Sequence, residues 1–339
     1  MPKPKHILVI RLSAMGDVAM TVPVLRAFTE QYPTIKLTVL TREFFKPFFR
    51  DLKNVDVFSA DLKNKHQGIF GLYKLSRELK HLGIDAVADL HNVLRSNILK
   101  FFFFGLEIVQ IDKGRDEKKA LVTGKNFEQL ITTHQRYAYV FEKLGFPLDL
   151  SNPTFPQRSE LNSKIQSVVG ENRAYKWIGI APFAAHEGKM YPLKLMEKVI
   201  TALSKNNRII LFGGGEQEIQ TLNALEHQFD NVINVAGMLT LEEELDLISN
   251  LDLMYSMDSG NGHLAAMLGI KVVTLWGVTH PFAGFAPFHQ PEEYSLLANR
   301  NIYPLIPTAV YGNEFPESYK DCMKTISPAE IINKIELIL

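Results

Sequence analysis

A single cysteine, Cys322, stands among 339 residues. It can neither close an intrachain disulfide nor complete a zinc site, so a disulfide-stapled secreted scaffold is excluded. Long hydrophobic runs are missing as well. The nearest to one, residues 98–111, is interrupted by Lys100 and Glu107 and falls short of the ~20 residues that cross a bilayer. At the start of the chain the apolar run Ile7-Leu8-Val9-Ile10 ends at Arg11, too early for the core of a signal peptide. A cytoplasmic protein is expected. Several chemical signatures are absent too. No Gly-x-Gly-x-x-Gly dinucleotide fingerprint occurs, no Gly-rich loop ends in Lys-Ser/Thr, and no Gly-x-Ser-x-Gly elbow is present. There is no Asp-x-Asp triplet, and no His/Cys/carboxylate cluster has metal-ligand spacing. Metal-dependent and serine-hydrolase chemistries lose ground accordingly.

What is present is the balance of a soluble globular protein, 46% hydrophobic and 22% charged, with a length that suits two domains. The net charge of zero conceals an asymmetry. Residues 1–165 hold 25 Lys and Arg against 17 Asp and Glu, and the remainder holds 12 against 20. Either the first half meets something acidic or the split is an accident of solvated surfaces.

Apolar runs rich in β-branched residues lie at 6–12, 37–40, 55–58 and 86–90, with helical patterns at 18–31, 72–82 and after 93. Residues 126–144 read as one more long helix. Pro147, Pro153 and Pro156 mark 147–160 as a linker. The alternation then restarts, with strands at 177–181, 208–212, 231–235, 251–256 and 271–276. Helices are expected at 193–204, 216–227, 241–249 and 263–268, and the tail 328–339 forms a closing helix capped by Ser327. Continuous strands separated by helices predict parallel sheets covered on both faces. The architecture inferred is α/β, with two successive doubly wound domains, 1–160 and 161–339, facing a central cleft. The closing helix is a candidate to pack back on the first domain.

Five segments could carry chemistry. In Ser13-Ala14-Met15-Gly16-Asp17, Gly16 allows a tight backbone approach and Asp17 sits where a helix begins, either as a functional carboxylate or as that helix's cap. In Gly213-Gly214-Gly215-Glu216, Glu216 could accept from ribose hydroxyls, or the segment is simply a turn. The run Asp258-Ser259-Gly260-Asn261-Gly262-His263 opens a helix with small residues, whose exposed N–H groups and dipole favour a phosphate. Lys189, just before Pro192, could reach a diphosphate or remain a surface lysine. Finally, Asp89, His91 and Arg95 follow a strand of the first domain, where His134 and Arg136 could join them.

In order and spacing these segments resemble glycosyltransferase family 9, the heptosyltransferases of the lipopolysaccharide inner core. The resemblance runs through nearly the whole chain. It rests on Arg11-x-Ser13-x-x-Gly16-Asp17, on Asp89 through Arg95-Ser96, on Lys189-x-Tyr191-Pro192, on Gly213–Glu216, on Asp258–His263 and on Cys322-Met323-x-x-Ile326. Tyr191 stands where the family commonly has Trp. The resemblance implies the GT-B arrangement of two Rossmann-like domains, an ADP-heptose donor, and inverting transfer without metal or cofactor to an acidic glycolipid, a lipid A-linked or inner-core acceptor. Carried over by position, Asp17 is the general base. Lys189, Glu216, Asp258, Ser259, Gly260 and His263 hold the donor, and domain closure aligns it with the acceptor.

Asp89, His91, Arg95, Lys63 and Lys65 are candidates for the acceptor, in keeping with the basic first half. No nucleic-acid partner is expected. Phe44-Phe45-Lys46-Pro47-Phe48-Phe49-Arg50 reads either as a membrane-interface segment at the inner membrane or as a buried helix face. A nucleotide-sugar epimerase of similar paired domains and a non-catalytic two-domain sugar-binding protein remain the alternatives.

Overall fold

The computed structural model describes residues 3–170 and 174–339. The chain forms two compact units. The first contains residues up to Lys113 together with Thr132–Thr154, and the second contains Gly114–Ile131 together with Phe155–Leu339.

In the first unit, strands β1 (His6–Ile10), β2 (Lys36–Thr41), β3 (Val55–Ser59), β4 (Ala86–Asp89) and β5 (Glu107–Gln110) pair in the order β3-β2-β1-β4-β5. All pairings are parallel, and Ile10 of the central strand lies in register with Leu40 on one side and Asp89 on the other. Helices α1 (Met15–Ala19), α2 (Thr21–Gln31), α3 (Gly68–Lys80) and α4 (Leu94–Phe101) follow these strands. Every residue of β1 is buried, as expected of a strand covered on both faces. Leu8, Ile10, Leu72, Leu75, Leu79, Leu99 and Phe103 share one core. The strand order reverses between β1 and β4, so the loops after them open the crevice where ligands of such sheets bind.

The stretch 126–144 is not one helix. Helix α5 (Arg115–Val122) precedes it, and only Thr133–Lys143 of the stretch is helical, as α6. Thr132 and Gln135 form a capping box, with Thr132 Oγ1 accepting from Gln135 N at 3.2 Å and Gln135 Oε1 from Thr132 N at 3.1 Å, so the helix starts there. Residues before the cap turn away. Leu121, Leu130 and Phe127 pack with Ala283, Phe282 and Phe285, and Leu130 N donates to Phe282 O at 2.9 Å. That apolar burial assigns 114–131 to the second unit.

The Phe44–Arg50 stretch resolves to the buried-face alternative. Residues Glu43–Phe49 form a 3₁₀ turn in which Phe45, Phe48 and Phe49 are buried and, of the four rings, Phe44 alone is exposed.

The second unit contains α7 (Ser163–Val169), β6 (Lys176–Ala181), α8 (Leu193–Leu203), β7 (Asn207–Leu211), α9 (Glu216–Glu226) and β8 (Val232–Asn234). These are followed by α10 (Leu241–Ile248), β9 (Leu253–Met257), α11 (Gly260–Met267), β10 (Val272–Trp276), β11 (Ser295–Leu297) and α12 (Pro328–Ile338). Its parallel sheet has the order β11-β10-β9-β6-β7-β8, with the reversal between β9 and β6. The closing helix α12 packs beside α8 and contributes Ile331, Ile335 and Ile338 to this unit's core. The edge strands β5 and β11 are short and only partly buried, too weak a pattern to stand out in the sequence.

Two loops of this sheet are stitched together by backbone. Val278 N, just past β10, donates to Gly188 O in the loop after β6 at 3.0 Å. The approach depends on glycine: a Cβ on Gly277 would lie 2.2 Å from Gly188 O, against backbone that cannot swing aside. Gly277→Ala should therefore cost about 1–3 kcal/mol, the usual penalty of overpacking, and lower the urea midpoint. A midpoint equal to that of the native chain would show that the two loops are not held together as described.

Candidate functional site

In the first unit, chemistry collects where β1 and β4 end. Arg11 is buried behind the loop, and its guanidinium is tied on several sides. Nη1 donates to Leu90 O at 2.7 Å, Nη2 meets Asp17 Oδ2 at 2.6 Å, and the group lies 5.9 Å from the Tyr137 ring centre. Asp17 is the third residue of α1. The same carboxylate oxygen accepts from Ala14 N at 3.3 Å, and the Tyr137 hydroxyl donates to Asp17 O at 3.3 Å. Asp17 therefore does cap its helix, and it does so while leaving 31% of its side chain exposed against 8% for Arg11. Capping the helix thus leaves the carboxylate reachable from outside. Gly16 sits in the same turn of α1, and Ser13 Oγ lies 3.4 Å from His91 Nε2. Burial, with the Arg11 and Lys113 cations next, pushes His91 down to about 4. Its imidazole is therefore neutral near pH 7, available for hydrogen bonding rather than ion pairing.

The other first-unit candidates do not all converge. Asp89 is wholly buried beneath the loop. One oxygen accepts from His91 N at 2.9 Å and Asn92 N at 3.0 Å, and the other from Gln110 Nε2 at 2.7 Å. It shapes the turn that presents His91 and, as the loop stands, offers nothing to a ligand. Arg95 is exposed on the first turn of α4. Lys63 and Lys65 lie in the loop after edge strand β3, where Lys63 is exposed and Lys65 pairs with Glu78 at 2.8 Å. His134 and Arg136 are buried on α6, with Arg136 Nη1 donating to Asp112 O at 3.4 Å.

In the second unit, the loops after β6 and β9 meet at the reversal. Lys189 ends a 3₁₀ turn, and its Nζ lies 2.9 Å from Asp258 Oδ2, both side chains being nearly buried. Thr279 Oγ1 donates to the same oxygen at 2.9 Å. A Cβ on Gly312 would lie 2.6 Å from Lys189 Cγ and Cδ, so the 308–312 loop lies against the lysine stem. Next to Asp258 in the chain, Ser259 is the N-cap of α11, and its buried Oγ has no hydrogen-bond partner among the described residues. Gly260 opens the helix, and His263 is buried one turn in. The structure thus gathers a cation, a carboxylate and a helix start, a combination suited to an anion next to hydroxyls.

At the glycine turn, Glu216 is exposed as the first residue of α9. It is Glu218 whose carboxylate accepts Gly214 N at 2.8 Å and folds the turn. A cavity of about 530 Å³ adjoins this turn, lined by Phe183, Met190, Tyr191, Gln217, Glu218 and Lys320, and none of the predicted donor residues lines it. Tyr191 is buried, donates its hydroxyl to Ile326 O at 2.8 Å, and is pushed up to about 12 by burial. It therefore anchors the C-terminal segment. Sequence reasoning missed Tyr137, Glu218, Thr279 and Gly312. Each acts through a partner far along the chain or through a turn, and no local spacing advertises that. Among the described residues, no group of three His, Cys, Asp or Glu is placed to hold a metal ion.

Comparison with known proteins supplies the context. Lipopolysaccharide core heptosyltransferase OpsX of Haemophilus influenzae is 23% identical over 286 residues, covering 82% of this chain and 80% of its own. A family 9 glycosyl transferase from Veillonella parvula superposes with a TM-score of 0.77 at 20% identity, covering 98% of this chain and 97% of that one. The structure of E. coli heptosyltransferase WaaC with ADP-2-deoxy-2-fluoro heptose gives 0.63 at 19% identity, covering 98% and 100%. These likenesses show the GT-B fold of two Rossmann-like units. Residues 72–304 match glycosyltransferase family 9 (heptosyltransferase). The chain belongs to that family and is a glycosyltransferase.

Proposed function

We propose that this enzyme transfers a heptose from ADP-heptose to a lipid A-linked or inner-core lipopolysaccharide acceptor, with inversion and without a metal. The observation that carries the reading is the pair of charged groups at the two sheet reversals, Asp17 beside Arg11 and Lys189 beside Asp258. The donor named in the E. coli structure and the lipopolysaccharide core named for the Haemophilus relative support the choice of substrates.

The chemistry asks for two things. A sugar hydroxyl becomes an effective nucleophile only as its proton leaves, and the departing diphosphate gathers negative charge that must be met in place. Asp17 is the accessible carboxylate for the first task, held by Arg11 so that it need not reorient when the hydroxyl arrives. A single displacement with the base on the face opposite the leaving group inverts the anomeric carbon.

For the second task, Lys189 and the α11 start at Ser259 and Gly260 supply positive charge where a metal would otherwise serve. The diphosphate shares the Lys189 ammonium with Asp258. That carboxylate, still held by Thr279, then accepts from sugar hydroxyls. Ser259 Oγ and His263 add hydrogen bonds, and Glu216 takes the ribose. Arg95, Lys63 and His91 are proposed to meet the acidic acceptor, whose lipid places the enzyme at the inner membrane's cytoplasmic face.

Two experiments test this reading. Asp17→Asn keeps a cap oxygen but loses the base, so kcat should fall by about 10²–10⁴ while calorimetric affinity for ADP stays within about twofold. A wild-type rate constant would remove Asp17 from the base role. In titrations with ADP, UDP and GDP the native chain should prefer ADP. Lys189→Ala should weaken that binding about 10–100-fold, the worth of a charge-assisted hydrogen bond. Preference for UDP or GDP would overturn the donor and leave the fold standing.

A further inference from the structure

We propose that the outer face of α3, α4 and the turn after α4 is a docking surface for an anionic lipid bilayer. Phe70 on α3, Leu94 and Phe101 on α4, and Phe104 just beyond it are 91, 77, 83 and 94% exposed. Single exposed apolar side chains are ordinary, but a contiguous cluster of large ones marks a contact surface. The two helices that carry Phe70, Leu94 and Phe101 adjoin. The Tyr73 and Phe102 rings meet edge-on at 5.4 Å, and Ile69 and Tyr73 add to the exposed side. The opposite faces of the same helices are already committed, with Leu72, Leu75, Leu79 and Leu99 in the core. Core packing therefore explains the inward apolar stripe and leaves the outward one unexplained.

Charge identifies the occupant. Lys74, Arg77, Lys80 and Arg95 are exposed on these two helices and Lys100 is half-buried, while Glu78 is their one carboxylate and is paired with Lys65. Much of the first half's positive excess is concentrated here. A second copy docked on the same face would set like charges against each other. A bilayer with anionic headgroups meets both features at once, since rings sink to headgroup depth while the cations stay among the phosphates. Among the described residues no helix is long and apolar enough to cross a membrane, so attachment of this kind is peripheral.

The surface deepens the reading of the acceptor as lipid-linked, and flotation, which reads no turnover, tests it separately. The native chain should float with phosphatidylcholine vesicles containing phosphatidylglycerol at low salt, less so at high salt, and not with phosphatidylcholine alone. Lys74→Gln and Lys100→Gln should each weaken binding about fivefold. The combined Phe70→Ser, Phe101→Ser and Phe104→Ser variant should weaken it about tenfold or more with an unchanged melting temperature. A native chain that stays unbound at low salt, or a triple variant that floats equally well, would overturn the proposal. So would a native dimer that the triple variant splits into monomers. Failed flotation with normal transfer to an acyl-free acceptor would sink the surface alone. Normal flotation without donor preference would sink the proposed transfer alone.

Discussion

A parallel sheet buried on both faces leaves polar chemistry very little room. Every side chain along β1, β9 and β10 is buried, so a charged group within them would have to be paired or neutralised. Only the carboxyl ends of the strands are open, and adjacent loops diverge only where the strand order reverses. The Arg11–Asp17 and Lys189–Asp258 pairs sit at such reversals, between β1 and β4 and between β6 and β9. The fold thus decides where function can be placed before any residue decides what the function is.

The same low-dielectric surroundings explain why neither Arg11 nor Asp258 stands alone. Taking a charge out of water costs several kcal/mol unless a partner and hydrogen bonds offset it. Arg11, almost buried, is held by Asp17 and Leu90 O. Asp258 is held by Lys189 and Thr279. In the first pair the hidden member is the cation and the reachable one the carboxylate. In the second both members are nearly buried, against a loop that packs on the lysine stem at Gly312. One device, an ion pair at a reversal, leaves a carboxylate reachable in one unit and sets a lysine beside a helix start in the other.

The alternation of apolar strands and helices made both sheets legible in the sequence, since strands covered on both faces leave an unbroken hydrophobic signal. The loops carrying Asp17, Lys189, Asp258 and Ser259 stood out because they follow apolar strands, at the strand ends where open α/β sheets leave room for a ligand. What stayed hidden depended on distance along the chain. Asp89 looked like a ligand-facing carboxylate, yet its oxygens are occupied by the backbone of its own turn and by Gln110. Glu216 and Glu218 sit two residues apart, and only folding shows which of them closes the glycine turn. The 126–144 helix failed at Thr132 because the cap and the contact of Phe127 with Phe282 outweigh helical propensity, which is worth only tenths of a kcal/mol per residue.

The aromatic residues of the first unit carry the same lesson in the other direction. Phe44-Phe45-Lys46-Pro47-Phe48-Phe49-Arg50 has the composition of an interfacial segment, yet three of its four rings are buried. The run at 101–104 has the composition of a core, and its first and last rings point to solvent while Phe103 is buried. Composition counts rings, whereas the helix decides which side each ring occupies. In α3, a period of three to four residues sends Leu72, Leu75 and Leu79 inward and leaves Phe70, Tyr73 and Arg77 outward. An element that is apolar inward and aromatic-cationic outward is doing two jobs at once. Packing accounts for one of them, and the proposed bilayer, apolar inside and anionic at its headgroups, accounts for the other.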